Sequence, residues 1–298
     1  YKMLKNDLLK VQVVELIYET YKKIGIEPHP LPELISLCNK DKKVWDVYSK
    51  GITVAVNQFE KEATSKKGIR YAPKNISEIS AFVAAIRPGF KSIYHDFESR
   101  KPFSYGVKSL DEILQTKEFP YSYMLYQENS MAVMNWSGIE MYKTHEIIKS
   151  IAKKRYEQVV GNKETFLDGM KKRLIVVEKI NEEGGFDIAK KTWQVLEDSA
   201  FYSFNASHSY SVAGDSLYCA WLKTNHPIHF YETFIKMMEK DGDKERMELA
   251  KQEAIRFFGI NFPHPEFGQD NRNIISIPER NEITQSLNIY KGFGDSIG

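Results

Sequence analysis

Residues 201–227 read FYSFNASHSYSVAGDSLYCAWLKTNHP, and the rest of the chain is best understood by working outward from them. The stretch opens on a polar loop, Ser203-Phe204-Asn205-Ala206-Ser207-His208-Ser209, which gathers an amide, hydroxyls and an imidazole into a few positions. A helical segment of apolar and small residues runs from Val212 to Leu222, followed by Lys223 and a His226-Pro227 stop. A polar loop feeding a helix can grip a phosphate or a sugar, because helix N-termini offer unpaired N–H donors at a positive dipole end. The same pattern also describes a capped, buried helix with ordinary loop polarity. The stretch alone leaves both readings open.

Upstream, helical patterns dominate. Val13–Lys23 is amphipathic and closes near Gly25, Asp41–Ser49 and Ile76–Ile86 read as helices, and Lys163–Glu182, ending at Gly184-Gly185, and Ile188–Ser199 lead to the central loop. Ile52–Val56 reads as a strand, and the basic run Lys61–Arg70 as a wet loop. The Met131, Met134 and Trp136 stripe has the spacing of core packing. Between Lys143 and Val160 stand five Lys or Arg residues against two Glu. Lys149 and Lys153 share one helical face, joined by Lys154 and Arg155, while Ile147 and Ile151 fall to the other side. A cationic face backed by an apolar one suits phosphate binding and equally suits solvent.

Downstream, Phe230–Glu239 and Lys244–Phe258 read as amphipathic helices, with Ile274–Ile277 and Leu287–Tyr290 as short strands that could pair. The fold class expected is mainly α with small β elements, an α+β chain. At 298 residues, with a net charge of +2, the composition is that of an ordinary globular chain. No apolar run approaches a membrane span, and Cys38 and Cys219 make neither a metal-ligand spacing nor a disulfide framework. A cytoplasmic protein without membrane contact is the expectation. Both ends look cut: Tyr1 runs straight into a patterned segment, and the chain stops inside Lys291-Gly292-Phe293-Gly294. A piece of a larger protein is expected.

The order of short motifs is more specific than any one of them. Lys5-Asn6-Asp7, Val56-Asn57-Gln58-Phe59-Glu60, Ala85-Ile86-Arg87-Pro88-Gly89, Arg100-Lys101, Tyr126-Gln127-Glu128-Asn129-Ser130-Met131, Ala152-Lys153-Lys154, Phe204-Asn205-Ala206-Ser207-His208 and Trp221-Leu222-Lys223 follow one another collinearly. That series resembles the bacterial replicative DNA polymerase III alpha subunit, a family C DNA polymerase. The resemblance implies the end of a palm over residues 1–11, helical fingers over 12–265 and the start of a helix-hairpin-helix, duplex-binding region over 266–298.

It further implies Mg²⁺-dependent nucleotidyl transfer on primer–template DNA with incoming dNTPs, and sliding-clamp and other replisome partners. Asp7 would be a palm carboxylate holding Mg²⁺ and Lys5 would reach the triphosphate. Lys149, Lys153, Lys154, Asn205, Ser207 and His208 would hold the nucleotide. Arg87, Arg100, Lys101, Arg155, Lys291, Gly292 and Gly294 would contact DNA, the glycines through a hairpin whose N–H groups hold a phosphate. Two departures stand out. Where the family usually carries paired arginines this chain has Ile148-Lys149, and where it has Asn-Lys-Ser-His this chain has Ala206 in place of the lysine. Lysine lacks the bidentate fork of arginine. The family's Asp-x-Asp pair is not within these residues, so the chain by itself is expected to be inactive. A degenerate, non-catalytic polymerase-like module that only grips DNA is the alternative reading.

Overall fold

The computed structural model describes residues 11–86, 90, 93–153, 156–200, 204–266, 268 and 271–287. Among these are fourteen helices and one two-stranded antiparallel sheet, in keeping with the mainly helical expectation. No helix among the described residues is long and apolar enough to cross a membrane. The chain forms two compact units, one of residues 1–69 with 214–298 and one of residues 70–213. Lys5, Asp7, Arg87, Lys154, Arg155, Lys291, Gly292 and Gly294 lie outside the described residues.

In the first unit, α1 (Gln12–Ile24) packs on α13 (Pro227–Asp241), and α13 on α14 (Lys244–Phe258). Helix α1 stops where expected, because Gly25 takes a left-handed φ of 74° that returns its N–H to the carbonyls of Tyr21 and Lys22. Pro227 opens α13 at the first helical position, where its missing N–H costs nothing. Helices α2 (Leu31–Lys40) and α3 (Lys42–Ser49) complete the unit with the second half of α12 (Ala206–Asn225). The Asp41 carboxylate starts α3 by accepting from Lys43 N at 3.0 Å.

Two local expectations change in this unit. Residues Ile52–Val56 are not a strand but a looped segment, with Ala55 at a φ of 61°. Local turns and distant side chains, not a ladder, take up its backbone groups: Ile52 N–H donates to the Val47 carbonyl at 2.9 Å and Val56 N–H to that of Thr53 at 3.0 Å. The buried Lys223 ammonium donates to the carbonyls of Ile52 (3.0 Å) and Val54, and Val54 N–H donates to Glu253 at 3.1 Å. The basic run is helical: α4 (Glu62–Tyr71) carries a Glu62–Lys66 pair at 2.5 Å, one turn apart. In the expected strand Ile274–Ile277, β1 (Ser276–Ile277) pairs with β2 (Glu282–Ile283), while residues 288–290 of the other strand candidate lie outside the described residues. A 3₁₀ turn at Pro278–Arg280 and Asn281 at a φ of 53° close the hairpin before Leu287 is reached.

The second unit holds α5 (Ile76–Ala85), α6 (Tyr94–Glu98), α7 (Lys108–Leu114), α8 (Gln127–Trp136), α9 (Met141–Ala152), α10 (Tyr156–Glu178), α11 (Glu182–Ala200) and the first turns of α12. Its core gathers Ile147, Ile148 and Ile151 of α9, Phe166 and Met170 of α10, and Trp193 and Leu196 of α11. Met134 is buried there, with Met131 and Trp136 packed against it. Gly184-Gly185 does not end a helix but lies inside the first turns of α11. Asn181 Oδ1 accepts from Gly184 N at 2.9 Å, and a Cβ built on Gly185 would lie 3.6 Å from Lys171 of α10, in ordinary contact. Gly169 is the more demanding position. A Cβ there would stand 2.1 Å from the Ser137 carbonyl oxygen, so only glycine lets α10 approach the end of α8.

Candidate functional site

The polar loop of the sequence reading is shorter than it looked. Helix α12 begins at Ala206, so Ser207, His208 and Ser209 belong to its first turn. Asn205 stands just before it and acts as a cap: its Oδ1 accepts from His208 N at 3.1 Å and from the Ser207 hydroxyl at 2.5 Å. The Asn205 carbonyl takes Ser209 N at 3.0 Å. Ala206 N–H donates to Glu128 Oε2 at 2.9 Å. A carboxylate therefore already sits at the positive end of this helix, where a phosphate was one of the two readings.

Glu128 reaches that place because two sequence motifs meet in space. Tyr126 and Phe204 form a parallel bridge, and Gln127 N–H donates to the Phe204 carbonyl at 2.9 Å. Beneath the bridge, the Tyr126 hydroxyl and the Ser80 hydroxyl are 2.9 Å apart, and Ser209 Oγ donates to the Ser80 carbonyl at 2.8 Å. Burial pushes the Tyr126 phenol up to about 12, partly offset by its bonds to Ser80 and Ser209. Tyr126-Gln127-Glu128 and Phe204-Asn205 thus lock one another, and the His208 imidazole packs on Phe204 at 5.1 Å while staying exposed.

Next to this junction is an apolar cavity of about 610 Å³, lined by Leu114, Phe119, Tyr123 and Leu125 with Ser207 and Tyr210 at α12. Its lining carries hydroxyls and an amide but no charged side chain among the described residues. A triphosphate has no counter-charge there. Arg100 is equally engaged. Its guanidinium donates to the carbonyls of Tyr71 (2.5 Å) and Ala72 (2.9 Å), meets Glu78 at 2.7 Å and lies 4.5 Å over the Tyr71 ring. Those donors are turned inward. Lys101 is exposed and faces Asp96 at 3.3 Å.

Helix α9 is different in kind. Thr144, Ile147, Ile148 and Ile151 turn inward, while Lys149 and Lys153 are exposed and have no ion-pair partner among the described residues. Both line a groove of about 640 Å³ shared with Tyr142, Glu146, Ser150 and Asn162. Ile148 is 2% exposed. The arginine that the resemblance leads one to expect at that position would here enter the core.

Sequence reasoning identified Lys149 and Lys153 but gave no role to Glu128, although it stands in a quoted motif, nor to Tyr142. Four-residue spacing from Tyr142 to Glu146 was a usable signal for the second. The first needed the contact across 78 residues.

A family model, the bacterial DNA polymerase III alpha subunit finger domain, matches residues 11–174, more than half of the chain. DNA polymerase III subunit alpha of Aquifex aeolicus is 26% identical over 98% of this chain, which covers 24% of that protein. The Neisseria meningitidis serogroup A protein of the same name is 26% identical over 99% of this chain and 25% of its own length. The Thermotoga maritima protein is 27% identical over 85% of this chain and 28% of its length. This chain therefore spans about a quarter of the length of these relatives. With the finger-domain match lying over α1 to α10 and the collinear motifs in place, the chain belongs to the bacterial DNA polymerase III alpha subunit finger-domain family.

Proposed function

We infer that this chain is the fingers part of a DNA-dependent DNA polymerase, binding incoming dNTP and primer–template DNA for nucleotidyl transfer. The observation that carries the reading is the outward face of α9. Lys149 and Lys153 are unpaired among the described residues, share a groove and are backed by a rigid isoleucine core. Exposed lysines held on a helix supply point charges for phosphate oxygens at little reorganisation cost. The junction of Glu128 with the start of α12 then has a supporting role. It fixes Ser207 and His208 on the first turn, from which the exposed imidazole can meet a ligand.

In this reaction class Mg²⁺ stabilises the in-line attack and the leaving pyrophosphate. Among the described residues no group of three or more His, Cys, Asp or Glu converges to hold a metal ion. Asp7, the carboxylate that the resemblance assigns to the metal, lies outside them. The contribution of the described residues is therefore binding and orientation of the nucleotide.

The test is steady-state primer extension by the protein that carries this chain. Lys149→Ala combined with Lys153→Ala is expected to raise the KM for dNTP by roughly tenfold or more, the scale of losing a charge-assisted phosphate contact. An unchanged KM would return α9 to a solvated outer face.

A further inference from the structure

The cavity beside the junction of α8 and α12 has a composition that the polymerase reading does not use. Leu114, Phe119, Tyr123 and Leu125, all buried in the fold, give it an apolar wall. That wall is braced from behind. The Tyr123 ring stacks on Phe103 with centres 4.8 Å apart, and its hydroxyl donates to the Lys101 carbonyl at 3.1 Å. Phe119 lies 6.2 Å from Phe97 and 5.1 Å from Tyr121, ring centre to ring centre. Side chains fixed in this way hold a pocket open before any ligand arrives, and about 610 Å³ is single-ligand size.

The polar groups of the lining fall into two sets. Ser80 and Tyr126 bond to each other, Thr116 Oγ1 accepts from Phe119 N at 3.0 Å, and the Ser207 and Ser211 hydroxyls donate to Asn205 Oδ1 and the Ser207 carbonyl. The Ser77 hydroxyl, the Asn129 side-chain N–H groups and the Tyr210 hydroxyl make no hydrogen bond among the described residues. Asn129 is oriented all the same, because its Oδ1 accepts from Tyr126 N at 3.0 Å. Neutral donors and acceptors are on offer there, and charge is not. An ion brought in from water would lose its hydration without a counter-charge, and the Glu128 carboxylate on Ala206 N–H would repel an anion further. Ala206 keeps the cavity in this state. It adds only a methyl side chain to the lining, at the position where the resemblance leads one to expect a lysine, whose stem would take up space and whose ammonium would bring a charge. We propose that the cavity is a binding site for a neutral aromatic small molecule, with its rings packed on Phe119 and Tyr123 and a carbonyl or amide held by Ser77, Asn129 or Tyr210. Asn129 belongs to α8 and Tyr210 to α12, so a molecule touching both also ties those helices together. The site goes beyond the polymerase reading and does not depend on it, since neither Lys149 nor Lys153 lines it.

The experiment is photo-cross-linking to the whole protein that carries this chain, with the labelled peptides mapped by mass spectrometry. The probes are 4-benzoylbenzamide, a neutral aromatic amide, and its anionic counterpart 4-benzoylbenzoate. The amide should label saturably within residues 77–80, 114–129 or 206–211. Its half-saturating concentration should be about tenfold or more below that of the benzoate, the scale of leaving a charge unpaired. Ala206→Leu, which fills space in the cavity and suits a helix, should raise that concentration about tenfold while the thermal midpoint without probe stays unchanged. Ala206→Lys should reverse the order of the two probes. Labelling elsewhere in the protein, equal saturation by the two probes, or unchanged labelling in Ala206→Leu would each overturn the proposal. No saturable labelling at all would overturn it too, as a cavity already filled by another segment of that protein predicts. The probe pair needs no substitution, so the parent protein alone can decide against the site.

Discussion

Lys223 and Lys149 are both helical lysines in quoted or flanking motif positions, and the two units use them in opposite ways. In the first unit Lys223 is fully buried, its ammonium 2.5 Å from Glu253 and bonded to the carbonyls of Ile52 and Val54. Glu253 in turn accepts from the Tyr231 hydroxyl at 2.7 Å and from Val54 N. The same unit pairs Arg246 with both oxygens of Glu60, at 2.8 Å each. Charge there ties irregular backbone to helices. In the second unit Lys149 and Lys153 face outward with no counter-ion among the described residues, over a core made of isoleucines. A lysine whose donors are all satisfied stabilises; one held without an acid is available to a ligand.

The most forceful way to break that contrast is Lys223→Met. Removing one partner strands the Glu253 carboxylate in the interior, which typically costs about 3–5 kcal/mol. Urea unfolding should show that loss, whereas Lys149→Ala should stay within about 0.5 kcal/mol, as surface changes usually do. Comparable losses for the two variants would end the distinction.

A smaller effect sharpens the comparison at α12. Asn205→Ala removes the cap that takes His208 N–H and should cost about 1 kcal/mol. Hydrogen exchange should speed up first at the amide of His208. No change in exchange there would mean that Glu128 alone fixes the start of the helix.

The smallest effect is a pH dependence in the first unit. Desolvation, with His229 and His29 nearby, holds the His226 imidazole below its ordinary range. Desolvation also lowers His229, where Glu232 opposes the shift and Lys23 adds to it. The unfolded chain then binds these protons more readily than the folded one. Stability is thus fully present above about pH 6.5 and declines as the pH falls below it, levelling once the folded-state imidazoles are charged. The thermal midpoint should fall between about pH 7.5 and pH 5.5, and fall less in His226→Gln. An equal fall in that variant would assign the dependence to other groups.

The helices were legible where a local signal fixed them. Gly25 and Pro227 mark the end of α1 and the start of α13, and the apolar spacing of α9 separates its two faces. Local signals failed where a distant partner changed the outcome. Ile52–Val56 has the composition of a strand, yet local turns together with Lys223 and Glu253, about two hundred positions away at the farthest, take up its backbone groups in place of a ladder. Gly184-Gly185 looked like a stop and is instead where α11 packs on α10.

The sequence by itself determined the family, through motif order, and the shared face of Lys149 and Lys153, through helical spacing. Both are properties of one dimension, readable from residue types and intervals. Tertiary structure alone decided which polar groups are already taken. Only the folded chain brings Glu128 to Ala206, turns Arg100 inward and places Ile148 in the core. A charged group's availability depends on what lies within a few ångströms of it, and those neighbours come from other parts of the chain.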